Sequence, residues 1–189
     1  MVFTVFLLFL ILLRLGELLL ARRNERWLRS QGAVEYGQAH YPYIVLLHVL
    51  FFLSLIAEYL LTPARGYSLP LLIPAHDYSL PLLVPARDYS LPLLILYFLL
   101  LALKVHVIGS LGRYWNTKIF RIPGRPLVKK GPYRFLKHPN YTIVVAEIAL
   151  IPLIFHLYLT AIVFTLLNAG MLYVRIGEED RVLRDCPMP

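Results

Sequence analysis

YTIVVAEIALIPLIFHLYLTAIVFTLLNAGMLYV, residues 141–174, decides the fold: 34 residues with a single charged side chain, Glu147. As one straight helix at about 1.5 Å per residue it would reach roughly 51 Å, well beyond a hydrocarbon core of about 30 Å. Pro152 and His156 stand near its middle, where a missing backbone donor and a polar ring favour a break. The stretch is therefore predicted to fold back as a hairpin of two helices of about 16 residues, short enough to require tilt, local thinning or incomplete spanning. A hairpin also returns both ends of the stretch to one membrane face. The flanking segments, residues 131–141 and 175–183, become neighbours.

The rest of the chain has the same character. Its 189 residues are 59% hydrophobic, with a mean hydropathy of +0.66, against roughly 45–50% apolar residues in a soluble domain. Further apolar segments at residues 2–20, 43–61 and 91–108 each suit one span of about 20 residues. Residues 2–20 lack the basic leader and small-residue cleavage site of a secretory signal. The expected fold is a single-domain, all-α integral membrane protein over residues 1–189, with about five transmembrane helices. Arg14 and Glu17 interrupt the first span three residues apart, on one face, so they pair or face a protein interior.

Charge sets the expected orientation. Arg22, Arg23, Arg26 and Arg29 follow the first span, eight Lys and Arg lie between Arg113 and Lys137, and Arg175, Arg181 and Arg184 follow the last: fifteen of nineteen basic residues on one side. The positive-inside rule makes that side cytoplasmic, with the N-terminus outside and the C-terminus inside. The net charge of +8 thus reflects topology rather than a nucleic-acid-binding face. The expected partners are the lipid bilayer and a lipophilic small molecule, with no nucleic acid. The single cysteine, Cys186, forms no intramolecular disulfide and has no metal-ligand company, so no metal is expected.

Between the second and third spans the sequence repeats itself: PARGYSLPLLI (63–73), PAHDYSLPLLV (74–84) and PARDYSLPLLI (85–95). Two prolines per copy oppose helix and coiled coil alike. Residues 63–95 read as an external loop that tolerates insertion and runs into the third span.

Chemistry is concentrated at the hairpin's two flanks. In Gly131-Pro132-Tyr133-Arg134-Phe135-Leu136-Lys137-His138-Pro139-Asn140-Tyr141, the Gly-Pro pair enforces a turn. Pro139 holds His138 extended and starts a helix whose free N–H groups suit an anion, with His138 and Tyr141 adding side-chain donors. The same turn would serve simply to cap a membrane helix. Upstream, Arg113, Tyr114, Trp115 and Asn116 suit a headgroup anchor, or a cover for a cofactor pocket with Arg113 or Asn116 as a polar contact. The second flank is Arg175-Ile176-Gly177-Glu178-Glu179-Asp180-Arg181-Val182-Leu183, where helical spacing sets Arg175 near Glu178 and Glu179. Pairs such as Glu178 with Arg181 and Asp180 with Arg184 would stitch a solvated helix end. Anion-binding groups beside carboxylates at a lipid boundary suit a zwitterionic or cationic cofactor and an amphiphilic substrate.

At these two flanks the sequence resembles the isoprenylcysteine carboxyl methyltransferase family, whose signature is Gly-x-Tyr-x-x-x-(Arg/Lys)-His-Pro-x-Tyr followed, one hairpin later, by Arg-x-x-Glu-Glu-x-x-x-Leu. The segments around Arg14-Leu-Gly-Glu17, Asn24-Glu25-Arg26-Trp27 and Glu147 look like those of small bacterial members associated with type III polyketide synthases, thought to O-methylate alkylpyrones. The resemblance implies S-adenosylmethionine held at the cytoplasmic edge and methyl transfer to an oxygen of a lipid that enters laterally from the bilayer, an alkylpyrone-like enol or a lipid carboxylate. It implies that Tyr133, His138, Pro139, Asn140 and Tyr141 hold the cofactor together with Glu178 and Glu179, and that Arg175 with Glu178 orients the acceptor oxygen. No Gly-x-Gly-x-x-Gly of a soluble nucleotide-binding domain is present. The competing reading is a membrane sterol-type reductase, which carries a similar His-Pro-Asn-Tyr segment with NADPH but a different acidic pattern in place of Arg175-x-x-Glu-Glu. A phospholipid N-methyltransferase and a non-enzymatic membrane protein are the remaining alternatives.

Overall fold

The computed structural model describes residues 1–62 and 89–185. The first two repeat copies and the start of the third lie outside the described residues, and the third copy ends inside a helix. Five α-helices make the body: α1 (Val2–Ser30), α2 (Tyr41–Leu61), α3 (Leu91–Leu111), α4 (Pro139–Ile154) and α5 (Tyr158–Asp185). Two three-residue strands, β1 (Val34–Tyr36) and β2 (Ile119–Arg121), pair antiparallel with Glu35 opposite Phe120. The protein is an all-α membrane fold, as its composition requires.

The hairpin forms where Pro152 and His156 place it. Both Phe155 and Leu157 donate backbone N–H to the Pro152 carbonyl, at 3.1 and 3.0 Å, and His156 takes a positive φ of 60° to reverse the chain. Its arms are unequal, with 16 residues in α4 and 28 in α5, because α5 continues past the apolar stretch through the whole second flank. Helices α1, α2, α3 and α5 are long and apolar enough to cross a membrane. Helix α4 reaches only about 24 Å at 1.5 Å per residue. It packs between α3 and α5 and buries Ile143, Ile148, Leu150, Ile151 and Ile154, so protein rather than lipid covers most of it and hydrophobic mismatch costs it little.

Successive helices alternate in direction, which collects their ends into two faces. On one, Phe3 stacks on Tyr59 with centroids 3.7 Å apart and meets Phe155 edge-on. There the Glu58 carboxylate accepts the backbone N–H groups of Leu159 at 3.0 Å and Thr160 at 2.7 Å, so α2 caps the start of α5. The other face gathers the C-terminal ends of α1, α3 and α5, the start of α4 and the small sheet. Asn24 ties α1 to the chain after α3 by donating to the carbonyls of Trp115 (2.7 Å) and Gly112 (3.2 Å). Asn116 returns a bond to the Ala21 carbonyl at 2.9 Å. Lys118 meets both Glu25 and Glu35 at 3.1 and 3.2 Å, which clamps the sheet onto α1.

Inside the bundle the anticipated Arg14–Glu17 pair, at 2.7 Å, is half of a larger network. Arg14 also reaches Glu147 at 3.0 Å, and Lys104 contacts both Glu147, at 2.9 Å, and Glu17. Two cations meet two carboxylates, which satisfies the condition for holding charge in a low-dielectric interior.

Candidate active site

The first flank is built onto the end of α3. Gly131 lies at φ 53°, and a Cβ there would approach Ser110 Oγ to 2.3 Å and His106 Nε2 to 3.2 Å, so any other residue would strain this turn and displace its neighbours. A single 3₁₀ turn over Gly131–Arg134 then delivers Tyr133. His138 occupies the cap position ahead of Pro139, the first residue of α4, and its carbonyl accepts the N–H of Tyr141 at 3.1 Å.

The second flank arrives on α5. His138 lies parallel to the Tyr141 ring, centroids 5.3 Å apart. Its Nδ1 is 3.4 Å from Glu179 and its Nε2 is 3.3 Å from Asp180, which Lys137 also engages at 2.6 Å. The Tyr141 hydroxyl donates to Glu179 at 2.5 Å and accepts from Arg175 Nε at 2.8 Å. Arg175 Nη2 donates to the Thr117 carbonyl at 2.6 Å, and its guanidinium sits over the Tyr141 ring. Arg175 is 7% exposed, and both its hydrogen-bond acceptors are uncharged. Hydrogen bonding to Glu179 holds the His138 imidazole above its ordinary range, overcoming partial burial. Burial and then the Glu179 charge push the Tyr133 phenol up, so it remains protonated at neutral pH.

Three cavities run in series through this face. The outermost, about 380 Å³, is lined by Arg121, Arg125, Tyr133, His138, Glu179 and apolar residues of the 120s loop. A middle one of about 120 Å³ shares Tyr133, His138 and Glu179 with it and adds Trp115, Asn140, Tyr141 and Arg175. The innermost, about 100 Å³, shares Trp115, Asn140, Tyr141 and Arg175 and reaches down to Arg14, His48, Lys104 and Asn168. Tyr141 and Arg175 therefore form the waist between an outer polar chamber and an inner one within the bundle.

Of the residues expected from sequence, Tyr133, His138, Tyr141, Arg175 and Glu179 converge. Asn140 lines the middle cavity, its Oδ1 3.5 Å from Trp115 Nε1, and Pro139 is buried at the helix start. Glu178 is placed otherwise: it bonds Arg181 at 2.5 Å, lines none of the three cavities, and is not among the hydrogen-bond partners of Arg175. Asp180 turns to Lys137 and His138 instead of the expected Arg184. Residues that sequence reading missed are Arg121, Lys104, Thr117 and Asn168. Arg121 Nε and Asn168 Nδ2 are the buried side-chain nitrogens lacking a hydrogen-bond partner among the described residues, and both residues line a cavity.

A helical membrane bundle with this pair of flanks defines a membrane methyltransferase family. The isoprenylcysteine carboxyl methyltransferase (ICMT) family matches over residues 93–185, and the chain belongs to that family. It is 44% identical over 176 residues to the uncharacterized protein YpbQ of Bacillus subtilis, covering 93% of each chain. It is 24% identical over 172 residues to an uncharacterized protein of Haemophilus influenzae, covering 90% of this chain and 88% of that one. No solved structure matches the chain.

Proposed function

We propose that the protein is an S-adenosylmethionine-dependent O-methyltransferase acting on a hydrophobic, membrane-partitioned acceptor, either an alkylpyrone-like enol or a lipid carboxylate. The observation that carries this reading is Arg175, a buried guanidinium at the waist between two chambers that hydrogen-bonds only neutral oxygens. A cation so placed favours an ionised acceptor oxygen.

The outer chamber suits the cofactor in size and donor set. About 380 Å³ lies within the range of small-molecule sites. The unpartnered Arg121 Nε supplies a donor for a carboxylate, and Glu179 with the faces of Tyr133 and His138 suits an amine, a ribose and a sulfonium charge. Bound there, S-adenosylmethionine would supply an electrophilic methyl group to the acceptor oxygen, with the carbon–sulfur electron pair left on sulfur.

The protein's own contribution is alignment. Arg175, fixed by Tyr141 and Thr117, holds the acceptor oxygen at the waist, where a separation of roughly 3–3.5 Å from the methyl carbon makes an in-line displacement effectively unimolecular. No general base is needed, because a carboxylate or acidic enol is already ionised near neutral pH. Glu179, bonded to Tyr141, takes in this reading the cofactor contact that the resemblance gave to Glu178 and Glu179, and Arg175 orients the acceptor without Glu178. In this reading the basic face is cytoplasmic, with the N-terminus outside.

The test is transfer of labelled methyl into organic-extractable product by membranes with and without the protein, offered alkylpyrones and prenylcysteines. Label in a pyrone or prenylcysteine supports the reading and selects the acceptor. Absence of both transfer and S-adenosylmethionine binding overturns it.

A further inference from the structure

Asn168 is 3% exposed, and its Nδ2 has no partner among the described residues. A buried amide donor is ordinarily satisfied, so this one points to an occupant of the 100 Å³ cavity that it lines. Asn168 and Arg175 lie seven residues apart on α5, close to two full turns, so they share a helix face about 10 Å apart along the axis. Because α5 runs from the far face toward the site, Asn168 is the deeper of the two. Between them the cavity has aromatic walls in Trp115 and Tyr141. Below, Arg14 and Lys104 are already matched by Glu17 and Glu147. The inner chamber therefore offers one cation at its waist, flat aromatic walls, and two neutral polar side chains at depth: His48, whose Nδ1 is bonded to the Ile44 carbonyl, and Asn168, whose amide donor is unpartnered.

We propose that Asn168 determines acceptor specificity by donating a hydrogen bond to a second, uncharged oxygen of the acceptor head, deeper than the oxygen held at Arg175. The substrate class is then a flat, conjugated hydroxy-carbonyl ring carrying an apolar tail, rather than a tailed molecule with one oxygen. This rests on the reading of Arg175 as the acceptor-oxygen site.

The experiment uses the full chain in detergent micelles with Trp27→Phe as the parent, which leaves Trp115 as the fluorescent reporter in the cavity wall. The probes are a hydroxypyrone with a long alkyl tail and an alkylphenol with the same tail. Asn168→Leu, which keeps the branched shape of asparagine but removes the donor, is expected to weaken hydroxypyrone binding about tenfold, the usual worth of a buried hydrogen bond. Alkylphenol binding should stay within about twofold, and binding of labelled S-adenosylmethionine should be unchanged. Asn168→Ala, which deletes the amide without adding bulk, should show the same loss of preference if the leucine variant does not fold. Unchanged hydroxypyrone affinity would mean that water satisfies the amide, and equal loss of both probes would mean a folding role; either overturns the proposal. So does a parent protein that binds the hydroxypyrone no tighter than the alkylphenol. A parent that prefers the hydroxypyrone but binds no S-adenosylmethionine sinks the methyltransferase reading and leaves the subsite standing.

Discussion

Arg175 and Glu179 are joined through one oxygen: the Tyr141 hydroxyl accepts from Arg175 Nε at 2.8 Å and donates to the Glu179 carboxylate at 2.5 Å. The two charges belong to one α5 surface, but the group that spaces them comes from α4. With the Thr117 carbonyl on Arg175 and His138 on Glu179, this bridge holds the guanidinium between the middle and inner cavities and the carboxylate between the middle and outer ones.

Tyr141→Phe should therefore damage turnover more than folding. Removing a hydroxyl bonded to two charged groups forfeits roughly 1.5–3 kcal/mol, which as a transition-state loss is about ten- to a hundredfold in kcat/KM. Methyl-transfer kinetics in membranes, normalised to inserted protein, would test this. Activity within twofold of the parent would remove Tyr141 from the site.

His138 gives a pH signature. Its proton is held more tightly in the folded chain than at the ordinary value of 6.5. The associated stability is therefore fully present below 6.5 and is lost as pH rises through the raised value. NMR titration of labelled histidine should place His138 above 6.5 in the parent and lower in Glu179→Gln, which loses the leading cause of the shift. An identical titration in both proteins would contradict the assigned contact.

The interior network should show coupling. Lys104→Met leaves Glu147 and Glu17 short of one cation in the bundle, a loss of the kind that costs about 3–5 kcal/mol. Adding Glu147→Gln to Lys104→Met should recover part of that loss, because it removes the stranded charge. Unfolding midpoints of the two single variants and the double variant decide the matter, and strict additivity would count against the network.

Gly131→Ala should displace the first flank. The new Cβ meets Ser110 Oγ at 2.3 Å on a backbone with φ 53°, so strain of at least about 1 kcal/mol is expected. Weaker binding of labelled S-adenosylmethionine, with intact membrane insertion, is the expected outcome. Unaltered binding would show that this turn does not position Tyr133 and His138.

Much of the architecture was legible in the chain itself. The length of residues 141–174, with Pro152 and His156 between its halves, is incompatible with one span, and folding it back brings residues 131–141 against residues 175–183. Arg14 and Glu17 announced a polar pair because they share a helix face inside an apolar run.

Tertiary structure alone decided which carboxylate faces His138 and Tyr141. Glu178 and Glu179 are adjacent, about 100° apart around α5, and with charged residues on several sides of that segment nothing in the sequence fixes its rotation. Packing against α4 does, turning Glu179 to His138 and Tyr141 and leaving Glu178 to Arg181. Lys104 joins Glu17 and Glu147 across three helices, and Asn168 and Arg121 acquire meaning only as cavity-lining residues with an unpartnered nitrogen. Such relationships depend on the relative rotation and depth of helices. Those are set by the packing of many side chains at once, whereas hydropathy and local spacing fix only where each helix begins, ends and turns back.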